Sequence, residues 1–266
     1  MNSNLSDFLL WSVQLDGLQE IFVFGSIHTG SPGIYKHLPK VRSIIDEVDA
    51  VLNEVDMNQL ANMDASIFLN STYPPLDKLI TSKQFKKYSL VFKKVTGQEL
   101  SNFKHYSPFF IQYLFLKFLI ADPTIQDTDS VLFEYAKINN KITGGLEDFQ
   151  EHFDAVLNIP NKIHLRQLKS TIGNFSKSRK QFKQLEKLYS DARVSKIQKY
   201  TMKNMGAYKK PLLYNRNEVM AKALIEQAKN HSTLGIMGLA HLGGQKGVLN
   251  ILRKKGGSIK GIKTVY

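Results

Sequence analysis

The chain has 266 residues, a formal net charge of +13 and 42% hydrophobic residues, so it is long enough to bury a sizeable core. It contains no cysteine, which excludes disulfides, thiolate nucleophiles and zinc–thiolate sites. Its most apolar window, Phe109 to Ile120, is shorter than the roughly 20 residues that cross a bilayer, and we interpret it as a buried helix. Because the chain as given starts without a basic leader, we expect a cytoplasmic protein.

The excess positive charge is concentrated in residues 162–210, where 14 basic residues are balanced by Glu186 and Asp191 alone. The basic residues surround an apolar stripe with helical spacing, which is typical of a solvated face on packed helices. Docking on a peripheral anionic surface is the alternative. We expect no specific nucleic-acid partner, because the segment has no recognised binding motif and its aromatic residues belong to the apolar stripe.

Two strands of a hairpin are predicted at the start of the chain. They cover Asp7–Val13 and Glu20–Phe24, and the Asp-Gly pair between them is a strong signal for a short turn. The second strand is continuously apolar, as expected when both faces are buried, and it breaks at Gly25. Because Gly25 begins a Gly-x-x-His motif, His28 is predicted at the carboxyl end of this strand.

A carboxylate is predicted at the end of the next strand. Apolar residues with helical spacing from Leu38 to Val48 are followed by the apolar run Ala50–Val55, which carries Glu54. The order strand, helix, strand predicts a parallel crossover. We therefore expect His28 and Glu54 at neighbouring carboxyl ends of the sheet, where open α/β sheets bind their ligands.

The middle of the chain, residues 58–210, has mainly helical periodicity and is predicted to be a helical insertion. One short strand near residues 141–147 interrupts it and ends at Glu147. This second carboxylate at a strand end is a candidate supporting member of a site. Capping of the helix that follows is the alternative role for it.

The last part of the chain repeats the pattern of the first. A helix begins at Pro211 and contains Arg216 in its first turns, and the strand Thr233–Met237 leads into a second Gly-x-x-His motif with His241. A helix and a final strand, Ile259–Val265, complete the chain. The predicted fold is α/β, with a central mixed, mainly parallel sheet and a mainly helical insertion.

The predicted sheet is built from two similar βαβ halves, residues 1–57 and 211–266, and we expect residues 1–266 to form one domain. One histidine in a loop is usually an ordinary polar residue. Two histidines at matching strand ends, with a carboxylate at the end of a third strand, provide the convergent groups that metal and hydrolytic sites need.

Five segments spread over nearly the whole chain carry further motifs: FVFGSIHTGSP at 22–32, VLNEVD at 51–56, ITGGLED at 142–148, LLYNRNEVMA at 212–221 and GLAHLGGQKGVLNILRKKG at 238–256. Together they resemble the TraB/GumN/PrgY family, whose animal relatives include the Tiki proteins, metal-dependent proteases that act on Wnt. The resemblance implies an α/β core related to erythromycin esterase and ChaN-like proteins. It also implies His28, Glu54 and His241 as site residues, with Arg216 and Glu147 as supporting members.

The chain departs from the family's usual residues at two positions. Relatives often have an acidic residue before the arginine, where this chain has Asn215, and glutamine where His152 stands. We therefore expect the groups around the arginine to differ from those of relatives.

The first hypothesis for the chemistry is metal-dependent hydrolysis. His28 and His241, together with Glu54 or Glu147, would hold a divalent ion such as Mn, Co or Zn, which lowers the pKa of bound water and polarises the carbonyl of a peptide or ester. Arg216 would then stabilise the oxyanion or bind a substrate carboxylate.

Two alternatives stay open. A metal-free, esterase-like hydrolase would use a histidine as general base, with the glutamate setting its tautomer. A non-enzymatic binding module would bind a metal, haem or an anionic partner without turnover. We rank hydrolysis first, and the absence of HExxH, nucleophile-elbow, P-loop and Rossmann motifs disfavours the commoner hydrolase and nucleotide-binding folds.

Overall fold

Both Gly-x-x-His motifs begin in the last residues of strands of one six-stranded sheet. The computed structural model describes residues 8–69, 74–120, 125–205 and 208–265, apart from the side chains of Ile120 and Asn204. The strands are β1 (Leu10–Gln14), β2 (Ile21–Ser26), β3 (Ala50–Asn53), β4 (Ile142–Gly145), β5 (Thr233–Gly238) and β6 (Ser258–Ile262). Their spatial order is β4-β3-β5-β2-β1-β6, and the first four in this order are parallel. Because β1 is antiparallel to both β2 and β6, the sheet is mixed. The predicted α/β fold is confirmed.

Helices account for most of the described chain between residues 58 and 210, as predicted for the insertion. The α-helices are α1 (Pro32–Tyr35), α2 (Leu38–Glu47), α3 (Met57–Ala61), α4 (Leu76–Leu79), α5 (Ser82–Thr96), α6 (Pro108–Ile120), α7 (Thr128–Ile138), α8 (Phe149–Leu157), α9 (Asn161–Gly173), α10 (Phe175–Ser190), α11 (Val194–Met205), α12 (Asn215–Gln227) and α13 (Val248–Lys254). A π-helical turn, Lys210–Tyr214, leads directly into α12. A 3-10 turn, Leu239–His241, follows β5.

The described residues fall into two compact units. Unit 1 lies within residues 1–62, 126–156 and 185–266, and unit 2 within residues 63–125 and 157–184. The sheet and all of the predicted site residues belong to unit 1. The prediction of a single domain over residues 1–266 stays a prediction.

The first two strands form the predicted hairpin. Gly17, in the turn between them, has a φ of +74°, a conformation that glycine adopts without strain. Asp7, predicted as the first residue of β1, lies outside the described residues. All six residues of β2 and of β5 are buried, as expected for central strands of continuous apolar sequence.

The predicted adjacency of the strands that carry His28 and Glu54 is wrong. Strand β5 lies between β2 and β3, so that Ile236 pairs with Phe24 on one side and with Asn53 on the other. The crossover through α2 therefore skips one strand position. As a consequence, the second Gly-x-x-His motif emerges between the carboxyl ends of β2 and β3.

Unit 2 is helical, and its core is formed mainly by α5, α6 and α9. Helix α6 corresponds to the apolar window that we expected to be a buried helix. Its burial is one-sided, because Ile111 and Phe115 are inaccessible while Tyr113 is 49% exposed. No helix in the described ranges is long and apolar enough to cross a membrane.

The basic segment forms helices α9, α10 and α11, as its periodicity predicted. On α10, Lys180, Lys183 and Lys187 are exposed, whereas Tyr189 is completely buried. Burial of the apolar positions and exposure of the basic ones is the arrangement expected of solvated helix faces.

Candidate functional site

The two Gly-x-x-His motifs pack against each other, and the glycine of each makes room for the other. A Cβ atom on Gly25 would clash with the Leu239 side chain in the second motif. A Cβ atom on Gly238 would lie 3.1 Å from both Glu54 Oε1 and His28 Nε2. Absence of a side chain at these two positions thus allows the strand ends to approach and leaves a space beside the polar groups.

His28 projects from the turn after β2 and is the exposed member of the site, with 57% of its side chain accessible. Its φ of +51° lies in the left-handed region, which costs a non-glycine residue about 1–2 kcal/mol. Its Nδ1 lies 3.3 Å from Asp129 Oδ2, and its Nε2 lies 3.8 Å from Glu54 Oε1. Asp129 is held in turn by the Ser26 hydroxyl, which donates to Oδ1 at 2.9 Å.

His241 lies on the 3-10 turn after β5 and is only 5% exposed. Its Nδ1 is 2.6 Å from Oδ1 of Asn217, whose Nδ2 donates to the Lys246 carbonyl at 2.7 Å. Because this second bond fixes the amide, Oδ1 must accept the proton of His241 Nδ1. The lone pair of His241 Nε2 is therefore free, and this atom lies 3.7 Å from Glu54 Oε1.

Glu54 follows β3 directly and lies between the two imidazoles. Its Oε1 accepts a hydrogen bond of 2.6 Å from the backbone N–H of Gly238. Its Oε2 accepts one of 2.6 Å from Nη2 of Arg216. Both oxygens are thus held, and the one that faces the imidazoles is fixed by β5.

Arg216, on the first turn of α12, joins the two carboxylates. Its Nε donates to both oxygens of Glu147, at 3.0 and 2.8 Å. Its Nη1 donates to the Leu212 carbonyl at 3.2 Å, and its Nη2 also lies 3.0 Å from Nδ1 of His152. The Leu212 carbonyl belongs to the π-helical turn, a feature that is frequent at functional sites.

All five residues predicted for the site are brought together at the carboxyl edge of the parallel strands. His28 and His241 face the same oxygen of Glu54, and Arg216 connects Glu54 to Glu147. The two imidazole Nε2 atoms are closer than the roughly 10 Å that would exclude a shared ion. The roles assigned to the five residues stay predictions.

Electrostatic attraction keeps both glutamates ionised in spite of their burial. Burial opposes ionisation of Glu54, but the two imidazoles, both of which are protonated in acid, the Arg216 guanidinium and the Gly238 N–H hold its pKa well below the ordinary value. Burial likewise opposes ionisation of Glu147, and its neighbours His152 and Arg216 lower its pKa. The Arg216 guanidinium therefore forms ion pairs with two ionised carboxylates.

The two histidines have opposite protonation states. Burial lowers the pKa of His241 to about 4, so its ring is neutral at neutral pH. Attraction by Asp129 raises the pKa of His28 to about 10, so its ring carries a proton at neutral pH. As a metal ligand, His28 would exchange that proton for the ion.

His28, His241 and Glu54 offer donor atoms that suit a divalent ion, but these atoms do not all lie within 4.8 Å of one another, so the side chains would have to move closer together to share it. Each Nδ1 faces an acceptor, Asp129 or Asn217, which is the usual arrangement behind a metal-bound imidazole and directs Nε2 inward. The space that a Cβ atom would fill at Gly238 adjoins Glu54 Oε1 and His28 Nε2. Two imidazoles and a carboxylate are also a common ligand set for catalytic zinc.

Among the described residues, the group of three possible ligands whose donor atoms do lie within 4.8 Å of one another is Glu54, Glu147 and His152. The Arg216 guanidinium already bonds to all three of these residues. A divalent ion there would have to displace a buried cation from its two carboxylate partners. We therefore assign this group to the binding of Arg216 and not to a metal.

Asp129 and Asn217 were not predicted from the sequence as site residues. The sequence did contain a signal for Asp129. Asp127 caps α7 by accepting from the Ser130 N–H, so a second aspartate two residues later is not needed as a cap. Asn217 gave no comparable signal, because its role depends on a contact with His241 in another element. His152 was noticed only as a departure from the family's usual glutamine, and it contacts Arg216.

The family comparison agrees with these motifs. A model described as the TraB/PrgY/gumN family matches residues 9–260, nearly the whole chain, which confirms the resemblance. No curated protein and no solved structure matches the chain.

Removal of the Asp129 charge should lower the pKa of His28 in the metal-free protein from about 10 toward its ordinary value of 6.5. A raised pKa in the folded state contributes stability that is complete below pH 6.5 and is lost as the pH rises toward 10. Asp129→Asn should therefore flatten the fall in stability over that range. An NMR titration of the His28 ring, combined with urea unfolding at several pH values, measures both effects.

The matched control for this titration is Asp127→Asn. Asp127 also attracts His28, but more weakly than Asp129, and asparagine still caps a helix. An equal fall in the pKa of His28 in the two variants would contradict the pairing of His28 with Asp129.

Proposed function

The chain belongs to the TraB/PrgY/gumN family, and from this premise we propose that it is a divalent-metal-dependent hydrolase of peptide bonds, with esters as the second substrate class. The observation that carries the proposal is the convergence of two imidazole Nε2 atoms, at 3.8 and 3.7 Å, on one oxygen of Glu54. His28, His241 and Glu54 would hold the ion, with Glu147 in support. Imidazole and carboxylate donors together suit Zn, Co or Mn.

A bound divalent ion supplies a water of lowered pKa and polarises the scissile carbonyl. The residues of the chain prepare the site for it. The Gly238 N–H and the Arg216 guanidinium orient Glu54, and Asn217 keeps the proton of His241 on Nδ1. Since His28 is the exposed ligand, a substrate reaches the site from its side.

The pKa values favour this mechanism over a metal-free one. A general base works best when its pKa is close to the operating pH. His28, with a pKa of about 10, already carries a proton at neutral pH and cannot accept another. His241, with a pKa of about 4, is a weak base and is buried. Binding of an ion in place of the His28 proton avoids both difficulties.

The experiment that tests the proposal combines metal analysis with activity. The purified protein should contain close to one divalent ion, cleave members of a panel of peptides and esters, and lose activity on chelation. His28→Ala should lose metal and activity together, because it removes one of three protein ligands. His105→Ala, which changes an exposed histidine of unit 2, is the control and should retain both.

The outcome of this experiment separates the alternatives. Glu54→Gln keeps the shape of the side chain but removes its charge, so retention of metal with loss of activity would assign Glu54 as the base. Full activity after exhaustive chelation would defeat the metal mechanism and leave metal-free hydrolysis. A metal-loaded protein that cleaves no member of the panel would favour the binding module.

Filling the space at Gly238 should remove metal binding without unfolding the protein. Gly238 has φ −54° and ψ +133°, which alanine also adopts, but a Cβ atom would lie 3.1 Å from Glu54 Oε1 and from His28 Nε2. Gly238→Ala should therefore fold and lose most of its metal affinity, measured by calorimetric titration. Gly144→Ala is the matched control, since its new Cβ atom meets only Leu52, at 3.4 Å. Equal metal affinity in the two variants would contradict the proposed position of the ligands.

A further inference from the structure

The Arg216 side chain is held on several sides and is only 12% exposed. Four of its five N–H groups are taken by partners in the described part of the chain: Nε by Glu147, one on Nη1 by Leu212 and both on Nη2 by Glu54 and His152. A guanidinium that stabilises an oxyanion needs N–H groups directed at the substrate. Arg216 directs at least four of its five N–H groups at the protein.

We propose that Arg216 and His152 are positioning residues that fix Glu54 as a metal ligand, and that Arg216 does not contact the substrate. This inference rests on the proposed function in one respect, namely that Glu54 binds the ion. It assigns Arg216 a different role from oxyanion stabilisation.

His152 acts here as a hydrogen-bond acceptor. A guanidinium can only donate, so in the 3.0 Å contact between Nη2 and Nδ1 of His152 the ring nitrogen is the acceptor; the same Nδ1 lies 3.7 Å from Glu147 Oε2, beyond hydrogen-bond distance. The same Nη2 donates to Oε2 of Glu54 at 2.6 Å. His152 thus sets the direction of the nitrogen that holds the glutamate.

The position of His152 is set by α8, whose first turn is capped by Asp148. The Asp148 carboxylate accepts from the backbone N–H groups of Gln150 and Glu151, at 2.9 and 3.0 Å. The His152 ring also packs edge-on against Phe153, with centroids 5.1 Å apart. Glu147 lies just before this helix and binds the other edge of the guanidinium.

The contacts of Arg216 with His152 and Glu54 fix the orientation of the Glu54 carboxylate. One of its oxygens is fixed by Arg216 and the other by the Gly238 N–H, so the carboxylate cannot rotate away from the imidazoles. Loss of Arg216 would also leave two glutamates buried together without a counter-charge. Weakening the hydrogen bond from Arg216 to Glu54 should therefore reduce metal affinity more than it reduces the rate of the chemical step.

The test compares Arg216→Lys, His152→Leu and His152→Gln with the wild type. Lysine cannot bond to two carboxylates as a planar fork, and leucine offers no acceptor, whereas the glutamine carbonyl can accept from Nη2. Each protein is titrated with Co²⁺ alone, and the affinity and the visible absorption spectrum of the bound ion are recorded. The NMR signals of the Arg216 N–H groups are followed in the metal-free proteins.

Arg216→Lys should weaken Co²⁺ binding by about 10- to 100-fold, the usual effect of changing a residue that supports a ligand. His152→Leu should weaken it less, alter the Co²⁺ spectrum and abolish the slowly exchanging Arg216 N–H signals. His152→Gln should resemble the wild type in all three measurements, because the acceptor is retained.

Two results would overturn the inference. The first is a folded His152→Leu variant with the Co²⁺ affinity and Arg216 signals of the wild type. The second is an Arg216→Lys variant with unchanged Co²⁺ affinity and a fall in kcat of about 10²–10³-fold, which is the signature of an oxyanion group. If the wild type fails to bind Co²⁺, the proposed function is wrong. The Arg216 N–H signals of the His152 variants then still decide whether the hydrogen bond between Arg216 and His152 exists.

Discussion

The carboxylate of Glu54, held between the Arg216 guanidinium and the Gly238 backbone N–H, is the interaction on which the rest of the site depends. It connects the end of β3 with the end of β5 and with α12, three elements that are distant in sequence. It also provides the one oxygen that both imidazoles face. Without it, the two histidines would be polar groups at neighbouring strand ends and would share no common point.

Charge explains why this interaction requires so many partners. Three buried carboxylates, Glu54, Glu147 and Asp129, lie near two cations, Arg216 and protonated His28. One negative charge is therefore uncompensated in the metal-free site. Exchange of the His28 proton for a divalent ion would make the positive charge of the site equal to the negative charge of its three carboxylates. Buried charges are tolerated when they are paired in this way. The same carboxylates that make the metal-free site electrostatically unfavourable would thus favour ion binding.

The sequence was sufficient for the elements whose signals are local. Continuous apolar runs that break at glycine predicted β2 and β5, and with them the positions of His28 and His241. The insertion of β5 between β2 and β3 could not be predicted, because strand order depends on pairing between distant segments. The imidazole that each supporting residue contacts depends on distant segments too: Asp129 bonds to Ser26 beside His28, 103 residues away, and Asn217 bonds to His241, 24 residues away.

The central claim is that His28, His241 and Glu54 bind one divalent ion while Arg216 stays on the two glutamates. Anomalous diffraction from crystals of the protein grown with Co²⁺ tests it most directly. The account predicts one strong peak at roughly 2.1 Å from the Nε2 atoms of both histidines and from a Glu54 oxygen, with the Arg216 contacts retained. A peak between Glu54, Glu147 and His152 with the guanidinium displaced, or no peak at the two imidazoles, would contradict it.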